Sequence, residues 1–269
     1  MSVVTFLSDY GTTDEFVGVC HGVIARAAPE VRVIDLTHGI PRHDVRAGAL
    51  TLRGALPYLP LGVHLAIVDP EVGGSRRAVA LRCAHGDRML VGPDNGLLCP
   101  AADRLGGVVE AIEIAHSPHR LEPVSATFHG RDLFAPVAAR LAVGDPFAAA
   151  GAPIDPDELV KLDLPSAHIE DGTLVAHVLG ADGFGNVILD ATHDDLARWG
   201  LRLGAVVDVD AGATTERARF ARAFSDVGPS ELLVYEDAQR HLALAVNRGS
   251  ALAALGVALD DELRLRPGR

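Results

Sequence analysis

The chain has 269 residues, of which 48% are hydrophobic and 22% charged, with 36 acidic against 24 basic side chains and a formal net charge of -12. That length holds one large domain or two smaller ones with sizeable cores. The acidic balance argues against nucleic acid or an anionic membrane surface as a partner and is compatible with a cationic small molecule. The three cysteines, Cys20, Cys83 and Cys99, form no CxxC pair and no zinc spacing, which fits thiols packed in a reduced interior. The N-terminus shows no basic segment, apolar segment or cleavage site, and no apolar run reaches the ~18 residues of a membrane helix. A soluble, cytoplasmic protein is expected.

Val3 to Leu7 reads as a buried strand, closed by the polar turn Ser8-Asp9-Tyr10-Gly11-Thr12-Thr13-Asp14. Helical periodicity follows over Phe16 to Ala27, with Asp14 and Glu15 expected in the first turn, where the helix dipole favours carboxylates. Val31 to Leu36 predicts a second strand, and Asp44 can cap a helix from Val45 to about Leu56. Strand, helix, strand, helix is the pattern of an α/β fold with a parallel sheet. His64 to Val68 is a third strand, Ala78–Arg82 and Arg88–Val91 form a hairpin, Val108 to Ile114 is a further strand, and Leu133 to Ala142 a helix. Pro153, Pro156 and Pro165 punctuate a polar stretch. Beyond it, segments 168–178, 186–189, 205–209, 231–235 and 241–245 read as short strands with few helices between. The expected architecture is an N-terminal α/β domain with a mainly parallel sheet (1–155), a linker (156–167) and a smaller C-terminal β-barrel domain (168–269).

The stretch from Ile67 to Arg76 is the strongest candidate for chemistry. Asp69 sits at the C-terminal end of the third strand, where open parallel sheets bind ligands. Pro70 ends the strand, Gly73-Gly74 permits a tight turn, and Arg76 returns seven residues later. A carboxylate and a guanidinium brought together there can hold a small polar reactant, or can simply brace a loop. Asp9 and Asp14 share the loop after the first strand; a carboxylate there can accept from a ribose diol, or serve as a turn or cap residue. His129, between Phe128 and Gly130, is a catalyst only if it converges with Asp69 and Arg76. No HxH or HExxH spacing is present, so no metal is expected. In the second domain, Asp182-Gly183-Phe184-Gly185-Asn186 and Phe224-Ser225-Asp226 each set an aromatic beside polar groups. That combination suits a flat heterocycle, although a tight turn alone accounts for the first. Asn247-Arg248-Gly249-Ser250 precedes a helix running to about Leu255, with Ser250 either capping it or bordering a ligand site.

Seven stretches in this order resemble the S-adenosylmethionine (SAM) hydrolases that form adenosine, or hydroxide adenosyltransferases, which are related to fluorinases and chlorinases. They are Ser8–Gly11, Asp69–Gly73 with Arg76, Gly92–Gly96, Phe128–Asp132, Phe184–Asn186, Phe224–Val227 and Asn247–Ser250. The resemblance implies a homotrimer with active sites at subunit interfaces, no cofactor, no metal, and S-adenosyl-L-methionine as the small-molecule partner. It puts the catalytic triad on Asp69, Arg76 and His129, and the ribose carboxylate on Asp9. Asp14 and Asp182 fall near the methionine amine. Phe184, Asn186, Phe224 and the backbone around Arg248 fall at the adenine, with Ser225 and Glu231 completing the substrate-binding set. Many members carry a Ser-Ser-Gly turn near the methionine end, where this chain reads Glu236-Asp237-Ala238-Gln239-Arg240. The implied reaction is in-line attack of water at the ribose 5′ carbon. A halogenase on the same scaffold and a non-catalytic adenosine- or SAM-binding protein are the alternatives.

Overall fold

Val3-Val4-Thr5-Phe6-Leu7-Ser8 forms the first strand, β1, and all six residues are buried. A strand buried on both faces belongs at the centre of a covered sheet. In the computed structural model, which describes residues 2–212 and 214–268, β1 lies between β2 (Arg32–Thr37) and β3 (Val63–Ile67), parallel to both. The remaining strands of this sheet are β4 (Ala78–Cys83), β5 (Met89–Pro93), β6 (Val108–Glu113) and β7 (Ala152–Ile154), in the order β2-β1-β3-β5-β4-β6-β7. β5 is parallel to β3, whereas β4 is antiparallel to β5 and β6, and β7 to β6. Five of the seven strands therefore run one way, and the sheet is mostly parallel.

Helices cover both faces. On one, Cys20, Val23 and Ile24 of α1 (Phe16–Ala27) and Val137, Ala138 and Leu141 of α4 (Ala135–Ala142) pack on Val4, Phe6 and Leu65. On the other, Ala49 and Leu52 of α2 (Val45–Ala55) and Ala101 and Ala102 of α3 (Cys99–Arg104) pack on Leu7, Ala66 and Val68. Alternate strand residues thus feed opposite layers. Asp44 caps α2 as expected, its carboxylate accepting the Ala47 N–H at 2.8 Å. Two details differ from the sequence expectation. Helix α1 begins at Phe16, with no acidic residue in its first turn and no side-chain cap. The helix expected from Leu133 instead opens as a π-helical turn, Gly130–Phe134, before α4. Pro136 lies in the first turn of α4, where its missing N–H costs little. The same tolerance applies to Pro100 in the first turn of α3.

The chain divides into two units, Met1–Leu162 and Asp163–Arg269. The second contains β8 (His168–Glu170), β9 (Thr173–Ala181), β10 (Val187–Thr192), α5 (His193–Trp199), β11 (Val206–Asp210), β12 (Thr215–Phe220), β13 (Leu232–Glu236), β14 (His241–Val246), α6 (Ala251–Leu255) and β15 (Glu262–Pro267). The order β10-β14-β13-β12-β11-β15-β9 closes through β9–β10 pairing into a seven-strand barrel, with β8 attached to β9 outside it. Its interior takes alternate residues, among them Leu174, Ala176 and Val178 of β9 and Leu263 and Leu265 of β15. Segment 168–178, expected as one strand, is a hairpin. Asp171 and Gly172 take positive φ of 49° and 76°, the twist a two-residue hairpin turn needs. Helix α5 was also not foreseen; its start is secured by Asp195, whose carboxylate accepts the Thr192 N–H and hydroxyl, and its end by Gly200 at φ 74°. No helix among the described residues is long and apolar enough to cross a membrane.

One buried histidine in the sheet makes the first unit acid-sensitive. His64 is fully buried in β3, with Nδ1 2.8 Å from Thr5 Oγ1 on the paired strand. Burial, assisted by the nearby Arg88 charge, lowers its pKa from 6.5 to about 4. A base whose pKa falls on folding leaves stability intact above pH 6.5 and removes it as the pH drops toward 4. His64 is therefore expected to withdraw about 2–3 kcal/mol between pH 7 and 4.5. Urea unfolding at the two pH values measures this loss, and a His64→Gln chain, which cannot charge, should lose that much less.

Candidate active site

The carboxyl ends of β1 and β3 lie side by side, and the Asp9 N–H donates to the Ile67 carbonyl at 3.3 Å. Two carboxylates, Asp9 and Asp69, therefore follow adjacent parallel strands. From Asp69 the chain turns back through Gly73, whose φ is 78°. A Cβ at Gly73 would lie 2.1 Å from the Ala126 carbonyl oxygen, so both conformation and space require glycine there. The turn delivers Arg76 to Asp69 in a two-pronged pair: Nε donates to Oδ1 at 2.8 Å, and an Nη2 hydrogen bonds Oδ2. Only 4% of the Arg76 side chain and 6% of the Asp69 side chain are exposed, so this is a buried ion pair. The guanidinium also lies 5.3 Å from the Phe134 ring centroid. Asn95 anchors the strand end, donating Nδ2–H to the Val68 carbonyl at 2.9 Å. Beside it, Asp94 accepts from Arg77 Nε at 2.8 Å and from the Val160 N–H at 2.9 Å. The Gly92–Gly96 stretch thus supports the site from behind.

His129 immediately precedes the π-helical turn and joins the pair. Arg76 Nη2 lies 2.7 Å from its Nδ1. Arginine can only donate, so Nδ1 is the acceptor and the neutral ring carries its proton on Nε2. Burial first, and the Arg76 charge second, lower the His129 pKa and so favour the neutral ring. The next residue must be glycine for a steric reason: a Cβ at Gly130 would lie 2.2 Å from the Tyr10 hydroxyl. Tyr10 packs edge-on to Phe6 and Phe128, so the contact fixes both the aromatic wall and the position of His129.

Asp9 and Asp69 open onto a cleft of about 250 Å³, also lined by Tyr10, Phe16, Arg42, His43, Val72, Thr127, Phe128 and Gly130. The Asp9 carboxylate is held by the His43 N–H at 2.9 Å, and His43 takes a positive φ of 67°. Arg76 and His129 are not among the lining residues; Arg76 bonds Asp69, and His129 bonds Arg76. Asp14 is exposed and lies outside both the lining and the helix cap. Residue-type arguments missed Tyr10, Phe16, Arg42, His43, Val72 and Thr127. Tyr10 adjoins Asp9 in a quoted motif, but Arg42 and His43 carry no local signal and reach the cleft only through the turn after β2.

The second unit gathers its expected binding residues into three bonded loops. Asp182 folds the first: it accepts the N–H groups of Phe184 and Asn186 at 2.9 and 3.0 Å and the Asn186 side-chain amide at 2.7 Å. Gly185, at φ 81°, packs so closely on Ser250 that a Cβ would lie 2.2 Å from its Oγ. Ser250 also caps α6, accepting the Ala253 N–H at 3.1 Å. Asn247 ties in the loop after β12, its Nδ2 donating to the Val227 carbonyl at 2.8 Å. There Phe224 stands edge-on to Tyr235 at 5.2 Å, and Glu231 accepts the Gly228 N–H at 2.8 Å. Arg248 takes a positive φ of 61°. Ser225 lies in the exposed turn with Phe224. Phe184 is 83% and Phe224 45% exposed.

Comparison with known proteins places these features in a family. The N-terminal domain model of the SAM hydroxide adenosyltransferases matches residues 4–151, and their C-terminal domain model residues 176–264. A protein of Salinispora tropica named (R)-S-adenosyl-L-methionine hydrolase is 49% identical over 98% of each chain. A crystal structure of an uncharacterized conserved protein from Thermotoga maritima superposes with a TM-score of 0.92 at 35% identity, covering 98% of this chain and 99% of that one. A fluorinase of Nocardia brasiliensis is more distant, 28% identical over 92% of this chain and 91% of its own. With both domain models matched in order and such identity along the full length, the chain belongs to the SAM hydroxide adenosyltransferase family.

Proposed function

We propose that this protein hydrolyses S-adenosyl-L-methionine to adenosine and L-methionine. The observation that carries the reading is the buried Asp69–Arg76 pair, joined by the half-buried His129, beside a cleft that also holds Asp9. Its relative of 49% identity bears the matching name. Water attacks the ribose 5′ carbon as the bond to sulfur breaks, and methionine departs as a neutral thioether. The leaving group needs no general acid and the reaction no metal or cofactor. What the protein supplies is a held, partly desolvated water and an acceptor for its proton, and positioning of this kind is worth up to about 7–11 kcal/mol.

Among the three groups, Asp69 is the proton acceptor. Arg76 has no acceptor lone pair, and the accepting nitrogen of His129 is already used by Arg76. Asp69 lines the cleft, and each carboxylate oxygen keeps a second lone pair after binding Arg76. Arg76 holds Asp69 in place and stabilises the developing hydroxide. A halide would meet the negative charge of Asp69 instead, which disfavours the halogenase reading. Asp9 takes the ribose diol, Phe184 and Phe224 stack on adenine, and Asn186 with the backbone near Arg248 reads its edge. Ser225 and Glu231 complete the nucleoside site, and Asp14 and Asp182 serve the methionine amine. The assembly is a homotrimer in which the cleft of one subunit meets the aromatic loops of its neighbour. The free thiols Cys20, Cys83 and Cys99 suit a reducing compartment, and the cytoplasm is the proposed location.

Turnover in oxygen-18 water is expected to place the label on the 5′ oxygen of adenosine, read by mass spectrometry. Unlabelled adenosine, or a 5′-halogenated product in halide buffer, would sink the hydrolase reading. His129→Ala and Arg76→Ala should lower the single-turnover rate at least 100-fold while adenosine binding by calorimetry stays within a few-fold. Asp9→Asn and Phe224→Ala should instead weaken adenosine binding, by about 1–3 kcal/mol. For the shared site, inactive Asp69→Ala and Asn186→Ala chains mixed under subunit exchange should recover activity, since some interfaces then carry no lesion. Failure to recover after verified exchange would count against it.

A further inference from the structure

We propose that His21, Asp35 and His38 form a binding site for a divalent transition-metal ion, with zinc the best match to two imidazoles and a carboxylate. His21 lies on α1, Asp35 within β2, and His38 one residue beyond β2. Their ligand atoms all fall within 4.8 Å of one another. His21 Nε2 is 2.8 Å from Asp35 Oδ1, and His38 Nε2 is 3.1 Å from the same oxygen.

The arrangement of His38 points to a ligand rather than to an ion pair alone. The residue is 7% exposed. Its Nδ1 lies 2.7 Å from the Oγ of Ser8, which is fully buried and also accepts the Tyr10 N–H at 3.3 Å. Phe6 packs edge-on against the ring at 4.6 Å. In the tautomer whose Nδ1–H is donated to Ser8, the lone pair sits on Nε2. That nitrogen is buried, and Asp35 Oδ1 lies 3.1 Å from it in a geometry that does not meet a regular hydrogen bond. A buried imidazole nitrogen without a regular hydrogen bond, set beside a carboxylate and a second imidazole, is the donor set of a metal centre whose outer partner, Ser8, is already in place. Zinc binds imidazole nitrogen at about 2.0–2.1 Å and carboxylate oxygen at about 2.0–2.2 Å, so tetrahedral ligand atoms stand ~3.4 Å apart. The two imidazole distances to Asp35 Oδ1 need to lengthen by only a few tenths of an ångström to reach that spacing. The His21 side chain is 36% and that of Asp35 43% exposed, which gives the ion a route in and leaves water the fourth position.

Such an ion would clamp α1 to β2 and fix the start of the cleft. The His38 carbonyl accepts the Gly11 N–H at 2.8 Å, and Ser8 directly precedes Asp9. The ion would therefore brace the loop that carries Asp9 without touching Asp69, Arg76 or His129.

The test is a titration of the untagged, chelator-stripped full-length protein with zinc chloride, followed by calorimetry and thermal unfolding. One equivalent is expected to bind tightly and raise the melting temperature. Cobalt chloride should give the visible absorption of a four-coordinate site. Asp35→Asn and the partly exposed His21→Ala should each weaken zinc binding at least tenfold and abolish the thermal shift. Should His38→Gln fold, it should do the same. Absence of a tight equivalent in the parent protein, or its retention in both His21→Ala and Asp35→Asn, would overturn the proposal and leave an ion-paired histidine pair.

Discussion

The buried pair between Asp69 and Arg76 is the constraint on which the site depends. Removing either charge from water costs several kcal/mol, and only close, well-aligned hydrogen bonding offsets it. That requirement dictates the tight turn between them, and with it the glycine at position 73 against the Ala126 carbonyl. It also recruits a third partner, because a guanidinium has five N–H donors and a carboxylate accepts only some of them. His129 takes one, and in doing so has its tautomer set. Loss of one member therefore removes more than one contact: the remaining charge is left buried without compensation, a penalty of about 3–5 kcal/mol.

The sheet supplies the other half of the geometry. Parallel strands deliver all their carboxyl ends to one edge, so Asp9 after β1 and Asp69 after β3 arrive together with little extra chain. The barrel contributes differently. Its expected binding loops are internally bonded turns: the Asp182 carboxylate accepts three hydrogen bonds within its own turn, and Asn247 ties one loop to the next. Such loops are held by their own hydrogen bonds and leave Phe184 and Phe224 exposed. Preorganisation of this kind lowers the ordering cost of binding a flat heterocycle.

Histidine shows how completely surroundings decide a residue's use here. His64 pairs with Thr5 inside the sheet and only packs. His129 accepts from arginine and is thereby fixed as a donor at its outer nitrogen. His38 has its inner nitrogen against Ser8 and its outer nitrogen 3.1 Å from the Asp35 carboxylate. Nothing in the local sequence of these three separates them. The absence of HxH and HExxH spacings speaks only to ligands on one element, whereas His21 and His38 come from a helix and from the end of the next strand.

Much of the fold was legible because its signals are local. The apolar run Val3–Leu7, the periodicity over Phe16–Ala27 and the cap at Asp44 depend on neighbours in the chain, and each of these segments adopts the expected element. The β12 and β15 strands had a comparable signal, arginines alternating with apolar residues, which reads as strand only once a barrel gives those residues an inside and an outside. The hairpin at Asp171-Gly172 was hidden because flanking apolar residues outweigh two turn residues. At the site, the sequence by itself determined which chemistry-bearing residues follow strand ends, since Pro70 and the glycines of the turn after Asp69 mark that end locally. Tertiary structure alone decided that His129, fifty-three positions beyond Arg76, meets its guanidinium, that Asp14 stays outside the cleft, and that Arg42 and His43 line it. Those outcomes rest on which segments the packed core brings together, and periodicity within one segment carries no information about that.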